Sequence, residues 1–256
     1  MKLSVAMITL NEEENLERTL APLAGLAKGL EVEIIIVDSG STDGTLEIAR
    51  QAGAKIFQED WKGYVEQKNS AFEKCSGEWI LNIDADELLS PELVEEIRAK
   101  IAAGPSLVNG YAVKRRTFYM GRLLKYAWQP DVKPRLARRA ASPRWVGQDV
   151  HESLRVQGKV ENLQNYLIHY SYKDFASHME TTKKLARVSA KANFDKGRRA
   201  GASDFLLRPL FHLFKRLVLK RAFLDGVPGL MAAWSGAVHS YMKSAFLWEL
   251  QNKDKE

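Results

Sequence analysis

Trp79-Ile80-Leu81-Asn82-Ile83-Asp84-Ala85-Asp86-Glu87 is an apolar run that stops at two carboxylates separated by one residue. In an open parallel sheet, ligands collect beyond the carboxyl ends of the strands, so a buried strand ending in acid marks a site and sets Asp84 and Asp86 at the rim of its crevice. Two hard oxygen donors suit Mg²⁺ or Mn²⁺. Such ions are usually held by one or two carboxylates together with the phosphate oxygens of a substrate. The stretch therefore points to a nucleoside diphosphate ligand. The pattern D-x-D is common by chance, and a competing reading makes Asp86 the cap of a short helix through Glu87-Leu88-Leu89.

Upstream, Lys2 to Leu10 is short, apolar and β-branched, as in a first parallel strand, and Glu33-Ile34-Ile35-Ile36-Val37-Asp38 is a central one. Asn11 offers an N-cap, Glu12, Glu13 and Glu14 crowd the positive helix start, and Leu16, Leu20, Leu23 and Ala27 recur at helical spacing up to Gly29. Acids at a strand-to-helix turn without glycine exclude the Gly-rich dinucleotide fingerprint. After Asp38, the loop Ser39-Gly40-Ser41-Thr42-Asp43-Gly44-Thr45 is dense in glycine and hydroxyls, which lets the backbone approach a nucleoside closely. An ordinary turn capped by Asp43 is the plainer alternative. Ile56 and Phe57 predict a third strand and Tyr64 to Lys74 a helix, whose Lys68 either reaches a diphosphate or is solvated. Downstream, Ser90 and Pro91 stand as N-cap and N1 of a helix to Ala103.

Taken in order, Ile8-Thr9-Leu10-Asn11-Glu12-Glu13, Ile36-Val37-Asp38-Ser39-Gly40-Ser41-Thr42-Asp43-Gly44-Thr45 and Asp84-Ala85-Asp86 resemble the family 2 inverting glycosyltransferases of GT-A fold. The three-part order is far more specific than D-x-D alone. The resemblance implies a Rossmann-like, mostly parallel sheet flanked by helices. It also implies that Thr9, Glu12 and Asp38 hold the nucleoside, usually uridine, and that Asp84 and Asp86 address ribose, sugar and metal-bound diphosphate. Asn11 and Lys68 complete the expected donor contacts. One departure is Ser39, where many members carry a second Asp.

Beyond Gly104-Pro105 the βα alternation gives way to strands such as Tyr111-Ala112-Val113-Lys114 and Val132 to Arg138, the acceptor half. Arg115, Arg116, Arg135, Arg138 and Arg139 are available to a phosphorylated acceptor, although a solvated face explains most surface arginines. Trp145-Val146-Gly147-Gln148-Asp149-Val150-His151-Glu152 sets two acids and an imidazole in a glycine-led loop. Family 2 enzymes carry the catalytic base there, and the Val-His-Glu form resembles bacterial lipopolysaccharide inner-core β-1,4-glucosyltransferases. Glu152 is the favoured base and Asp149 its competitor. Leu167-Ile168-His169-Tyr170 ends an apolar stretch in a histidine; a lone histidine is more often packed or hydrogen-bonded than a ligand, but late histidines complete the metal sphere in several GT-A enzymes, so His169 joins Asp86 as an expected ligand.

The last third is helical and basic. From Phe205 to Asp225, Leu207, Leu210, Phe211, Leu213, Phe214, Leu217 and Val218 fall on one helical arc and Arg208, His212, Lys215, Arg216 and Lys220 on the other. That segregation fits a membrane-surface helix, and a helix packed on the catalytic domain with a solvated basic face is its rival. Residues 230 to 250 are too interrupted by Ser235, His239 and Lys243 to make a clean span. These features divide the chain into a catalytic domain at 1–175, with its halves at 1–105 and 106–175, and a helical membrane-associating region at 176–256.

A formal charge of +6 calls for an anionic partner. No nucleic-acid motif or base-stacking platform accompanies it, so an anionic membrane surface is favoured over nucleic acid. The single cysteine, Cys75, excludes a disulfide framework and fits a reducing compartment as a small buried hydrophobe. With no leader pattern at the N-terminus, the expected place is the cytoplasmic side, peripheral on the inner face of the cytoplasmic membrane. The activity expected is metal-assisted, inverting transfer of a hexose, glucose from UDP-glucose, to a lipid-linked saccharide, the lipopolysaccharide inner core. The alternatives are a polyprenyl-phosphate sugar transferase and a non-catalytic nucleotide-sugar-binding protein.

Overall fold

The computed structural model describes residues 1–104, 107–147 and 152–253, and the chain divides into two compact units, 1–116 with 131–170 and 117–130 with 171–256. In the first unit, β1 (Lys2–Thr9), α1 (Glu13–Leu20), α2 (Leu23–Leu26), β2 (Glu31–Asp38), α3 (Thr45–Gln51), β3 (Lys55–Gln58) and α4 (Tyr64–Glu73) form a βα series. It continues through β4 (Trp79–Asn82), β5 (Glu87–Leu89), α5 (Pro91–Ala102) and the long β6 (Val108–Tyr119). β7 (Arg122–Leu123) is a two-residue hairpin partner of β6, followed by β8 (Val132–Arg138), β9 (Arg144–Val146), β10 (Ser153–Arg155) and β11 (Lys159–His169).

The sheet runs β3-β2-β1-β4-β8-β6-β11-β5. Its first four strands are parallel, and β4–β8, β8–β6 and β11–β5 are antiparallel. Period-two alternation explains why the parallel strands read as unbroken apolar runs. Leu3, Val5, Met7, Ile36, Trp79 and Leu81 enter the core on one face, whereas Ala6, Ile35, Val37 and Ile80 enter the core on the other. Both faces are covered, and the polar residues buried along these strands are paired, the Ser4 hydroxyl donating to the Glu33 carboxylate at 2.6 Å and the Asn82 amide to the Ala6 carbonyl at 2.8 Å.

Three local expectations change. The helix predicted from Asn11 to Gly29 is two helices, because Pro22 has no N–H to continue the first and stands at the start of the second. Asn11 is left-handed, with φ of 54°, and does not cap α1, whose N-cap position is Glu12. Glu87–Leu89 is a strand rather than a helix, since it finds an antiparallel partner in β11 with Leu167 opposite Leu89 and His169 opposite Glu87. The start of α5 is as predicted, with the Ser90 hydroxyl accepting from the Leu93 N–H at 3.1 Å and Pro91 at N1.

In the second unit, α6 (Phe175–Asp195), α7 (Ala202–Phe214) and α8 (Gly226–Asn252) pack with the 117–130 segment. That segment, counted from sequence with the acceptor half, is held here by the buried Asp225 carboxylate, which accepts from the N–H groups of Lys125, Tyr126 and Ala127 at 2.9, 2.9 and 2.8 Å. Tyr119, Trp128, Tyr172 and His178 form an aromatic cluster in which the Tyr119 hydroxyl and His178 Nδ1 are 2.7 Å apart. The amphipathic stretch 205–225 comprises α7, a π-helical turn at Lys215–Leu219 and a 3₁₀ turn at Ala222–Asp225 rather than one helix. Leu213 and Leu217 pack inward, while Leu207, Leu210, Phe211, Phe214 and Val218 are exposed. Trp234, Tyr241 and Trp248, seven residues apart along α8, are exposed as well. Among the described residues no helix is long and apolar enough to cross a membrane.

Candidate active site

The parallel strands all end on one edge of the first unit, and the site residues gather there. β1 delivers Thr9, whose hydroxyl donates to the Asp38 carboxylate at the end of β2, at 2.9 Å. Asp38 is fully buried and also accepts from the N–H groups of Gly40 and Ser41 at 3.0 and 2.9 Å and from the Ser41 hydroxyl. It therefore shapes the 39–45 loop from inside, and Gly40, at φ of 96°, takes the backbone conformation that this wrapping requires. Asn11 ties the first turn to the same loop, donating from its N–H to the Ser41 hydroxyl and accepting from the Thr42 N–H, each at 2.8 Å. The Ser39 hydroxyl is buried with no hydrogen-bond partner among the described residues, an unmet polar group in the loop expected to meet a nucleoside.

Glu12 sits between these loops and the acids of the D-x-D turn. Burial, with Asp86, Asp43 and Asp84 nearby, raises its carboxyl above the usual range, against the hydrogen bond from the Asn15 amide. A carboxyl in that setting gains from a donor group brought by a ligand.

Asp84 to Glu87 is a closed turn. The Glu87 N–H donates to the Asp84 carbonyl and the Asp84 N–H to the Glu87 carboxylate, each at 3.0 Å. The Thr19 hydroxyl holds the Ala85 carbonyl from behind at 2.7 Å. The two aspartates then part company. Asp84 is gripped by Lys68 Nζ at 2.9 Å and Arg135 Nη2 at 3.0 Å. Burial opposes its charge, but Arg135 and Lys68 prevail and hold the carboxyl well below the usual carboxylate range. Asp86 Oδ2 lies 3.0 Å from His169 Nε2. The β5–β11 register causes that meeting, reinforced by the Tyr170 N–H donating to the Asp86 carbonyl at 2.9 Å.

Carboxylate oxygen beside imidazole nitrogen is a donor set that Mg²⁺ or Mn²⁺ accepts when phosphate oxygens complete the sphere. Among the described residues no three His, Cys, Asp or Glu side chains converge as a full protein cage, and Asp84 is committed to its two cations. Among the described residues, Asp86 and His169 are the pair that could offer such an ion an oxygen and a nitrogen donor.

Lys68, 4% exposed, is buried rather than solvated. Its Nζ lies over the Trp145 ring, 4.4 Å from the centroid, and 3.3 Å from Glu152 Oε1, so one ammonium links Asp84 to the expected base. Asp149 lies outside the described residues.

Sequence reasoning gave Glu87 no role in the site and grouped Arg135 with the arginines available to a phosphorylated acceptor. Arg135, 2% exposed, bridges Asp84 and Glu87, and Glu87 is also met by Arg115, itself paired with Asp131. Burial raises the Glu87 carboxyl, while Asp84 and Glu87 outweigh burial at Arg135 and raise its guanidinium. The available signal was an arginine between Pro134 and Leu136 in a strand with buried neighbours, a place where only a paired charge survives. Of the other basic candidates, Arg138 donates to the Val108 and Gly104 carbonyls and covers the Trp79 ring, and Arg116 lies over Tyr166. Both are engaged within the unit rather than turned out to a phosphorylated acceptor.

Solved structures share this architecture. That of S. aureus TarS 1-349 aligns over 100% of this chain and 92% of its own at a TM-score of 0.52 and 15% identity. The mannosyltransferase PcManGT from Pyrobaculum calidifontis, solved with GDP-Man and Mn²⁺, aligns over 99% and 88% at 0.51 and 16%. The fold is therefore GT-A. Residues 4–157 match the family described as glycosyl transferase family 2. The lipopolysaccharide core biosynthesis glycosyltransferase LpsC of Rhizobium meliloti (strain 1021) is 31% identical over 97% of this chain and 93% of its own length. The chain belongs to glycosyl transferase family 2 and is a transferase.

Proposed function

We propose that the protein transfers glucose from UDP-glucose, with inversion, to a lipid-linked saccharide of the lipopolysaccharide core, working from the inner face of the cytoplasmic membrane. The observation that carries this reading is the Asp86–His169 pair at 3.0 Å, set at the strand ends beside Glu152 on Lys68. Support for the acceptor comes from the relative named for lipopolysaccharide core biosynthesis, and for the donor from the Thr9, Glu12 and Asp38 pattern.

Inversion needs one displacement. Glu152 takes the proton of the acceptor hydroxyl, that oxygen attacks the anomeric carbon, and the bond from that carbon to the diphosphate oxygen breaks. Asp86 and His169 would hold Mg²⁺ or Mn²⁺, which supplies positive charge to the diphosphate as it leaves. Lys68 has a second task in this scheme. Its ammonium lies between the Asp84 and Glu152 carboxylates, at 2.9 and 3.3 Å, and offsets the repulsion between them while fixing where the base stands. Thr9 and Asp38 set the loop against the nucleoside, with Asn11 bracing it and Glu12 meeting a ligand donor.

The membrane-surface part of the reading is supported by the exposed Leu207, Leu210, Phe211 and Phe214 beside basic residues in the second unit. A screen of UDP- and GDP-sugars on truncated lipopolysaccharide acceptors, with linkage analysis of the product, tests the whole. UDP-glucose is expected to give a single inverted linkage, and a preference for another donor or for a polyprenyl phosphate acceptor would replace this assignment.

A further inference from the structure

The second unit contains a cavity of about 410 Å³ that the sugar-transfer chemistry does not use. Trp128, His212, Lys215, Arg216 and Lys220 line it, with small residues of α8 as its floor, and no acid is among the lining residues. Among the described residues, Lys215, Arg216 and Lys220 have no carboxylate within ion-pair distance. Arg216 is half-buried, and burial lowers its guanidinium below the ordinary arginine value. His212 is lowered too, by burial and then by Arg216, Lys243 and Lys215. Lys215, Arg216 and Lys220 thus share a cavity whose lining holds no acid.

The seat of Arg216 is built for it. Its guanidinium lies on Gly236 of α8, where a Cβ would come within 2.4 to 2.6 Å of Nε, Cδ and Cζ. A half-buried guanidinium without an anion is costly, and a group with several negative oxygens relieves that cost best, because the planar fork donates two parallel hydrogen bonds to it. The segment that supplies the cations also exposes Phe211, Phe214, Val218 and Leu219. A soluble phosphate compound would leave those side chains unexplained. A lipid accounts for both, since apolar side chains entering the acyl boundary bring the neighbouring cations to headgroup depth.

We propose that this cavity is a binding site for the phosphate of an anionic membrane lipid, with Arg216 as its forked donor and Lys215 and Lys220 beside it. The inference rests on the membrane-surface reading above, and the test separates the two. The full chain is sedimented with vesicles of phosphatidylcholine alone, of phosphatidylcholine with phosphatidic acid, and of phosphatidylcholine with oleic acid matched in surface charge. The parent is expected to favour phosphatidic acid over oleic acid by about tenfold or more, the scale of one charged hydrogen-bonded contact. Arg216→Gln should remove that preference. Arg221→Gln, which takes one charge from the same segment outside the cavity, should leave it. Urea unfolding read by tryptophan fluorescence, with Trp128 and Trp234 in the second unit, reports on the folding of each variant, and a Lys215→Gln/Lys220→Gln variant, altered only at exposed positions, replaces Arg216→Gln if that chain unfolds. Binding to no vesicle at all would sink the membrane reading. Equal binding to the two anionic vesicles, or equal loss in Arg216→Gln and Arg221→Gln, would keep the membrane but overturn the site. Displacement of phosphatidic acid vesicles by an equal concentration of inorganic phosphate would overturn the lipid as its occupant.

Discussion

A cation cluster in the first unit and one in the second treat positive charge in opposite ways. In the first, Lys68, Arg115 and Arg135 are buried or nearly so and each is matched by acids, Asp84 and Glu152 for Lys68, Asp84 and Glu87 for Arg135, Glu87 and Asp131 for Arg115. In the second, Lys215, Arg216 and Lys220 line a cavity without acids beside exposed apolar side chains. A matched network fixes geometry. Each carboxylate in that network has its orientation set before substrate arrives, which is what electrostatic preorganisation requires. An unmatched cluster stores attraction for something the chain does not itself provide. The difference predicts that mutations in the first unit act on turnover or on stability, and that those on the basic face of the second act on partition to a surface.

The sharpest attempt to break this comparison falls on the Asp86–His169 pair. Asp86→Ala should reduce transfer by about 10³-fold or more, since metal-type charge stabilisation at a leaving group is worth several kcal/mol. Its fold should persist, because Asp86 forms no ion pair with the buried Arg135 and Lys68, and excess chelator should bring the parent to the same rate. Sugar-transfer assays with UDP release read both, and full activity in chelator would take the ion out of the mechanism.

The base comes next. Glu152→Gln is expected to keep UDP binding and lose ~10²–10⁴ in turnover, with Asp149→Asn doing less harm. Since Glu152 also balances Lys68, the same change should leave the ammonium to Asp84 alone. If Asp149→Asn is the lethal change and Glu152→Gln turns over near the parent rate, the two roles must be exchanged.

Arg135 tests whether the matched network is structural. Arg135→Met leaves Asp84 and Glu87 buried without their shared cation, and breaking a buried pair in this way costs about 3–5 kcal/mol. Urea unfolding should show that loss, and Arg135→Met with Glu87→Gln should recover part of it. An unchanged midpoint in the single variant would mean that Lys68 and Arg115 suffice to hold the acids.

How much of this was legible in the sequence follows from which interactions are local. β1, β2 and β4 read directly, because strands covered on both faces must be apolar throughout and their ends are where acids can begin. Ser90-Pro91 read directly, since capping is decided within four residues. What failed depended on distant partners. Glu87-Leu88-Leu89 has no local preference strong enough to choose, and only pairing with Leu167–His169 makes it a strand. Arg135 looked like one of five surface arginines, because the acids that bury it lie about fifty residues earlier. The 117–130 segment reads as acceptor-half sequence until Asp225, about a hundred residues on, takes its backbone N–H groups. His169 was named on resemblance to a family, and the β5–β11 register is the physical reason for its position next to Asp86.

The smallest expected effect bears on the second unit's aromatic cluster, where positive charge at His178 is excluded rather than paired. His178 is 2% exposed, stacked on Tyr172 and hydrogen-bonded to Tyr119, and burial followed by Arg216 lowers its imidazole from the ordinary 6.5 to about 4. Between those two values the unfolded chain binds a proton that the native one refuses, so stability rises with pH across the window and is lost as pH falls from 6.5 towards 4. The slope from this one group is at most about 1.4 kcal/mol per pH unit. His178→Gln keeps a polar partner for the Tyr119 hydroxyl and has no proton to take up. It should lower stability somewhat at pH 7 by loosening the aromatic cluster, yet flatten the decline below pH 6.5, so that parent and variant converge as the medium becomes acidic. Urea midpoints at several pH values, read by tryptophan fluorescence, measure the convergence. Parallel curves would mean that His178 is protonated in the native cluster and that the unit tolerates charge in its core.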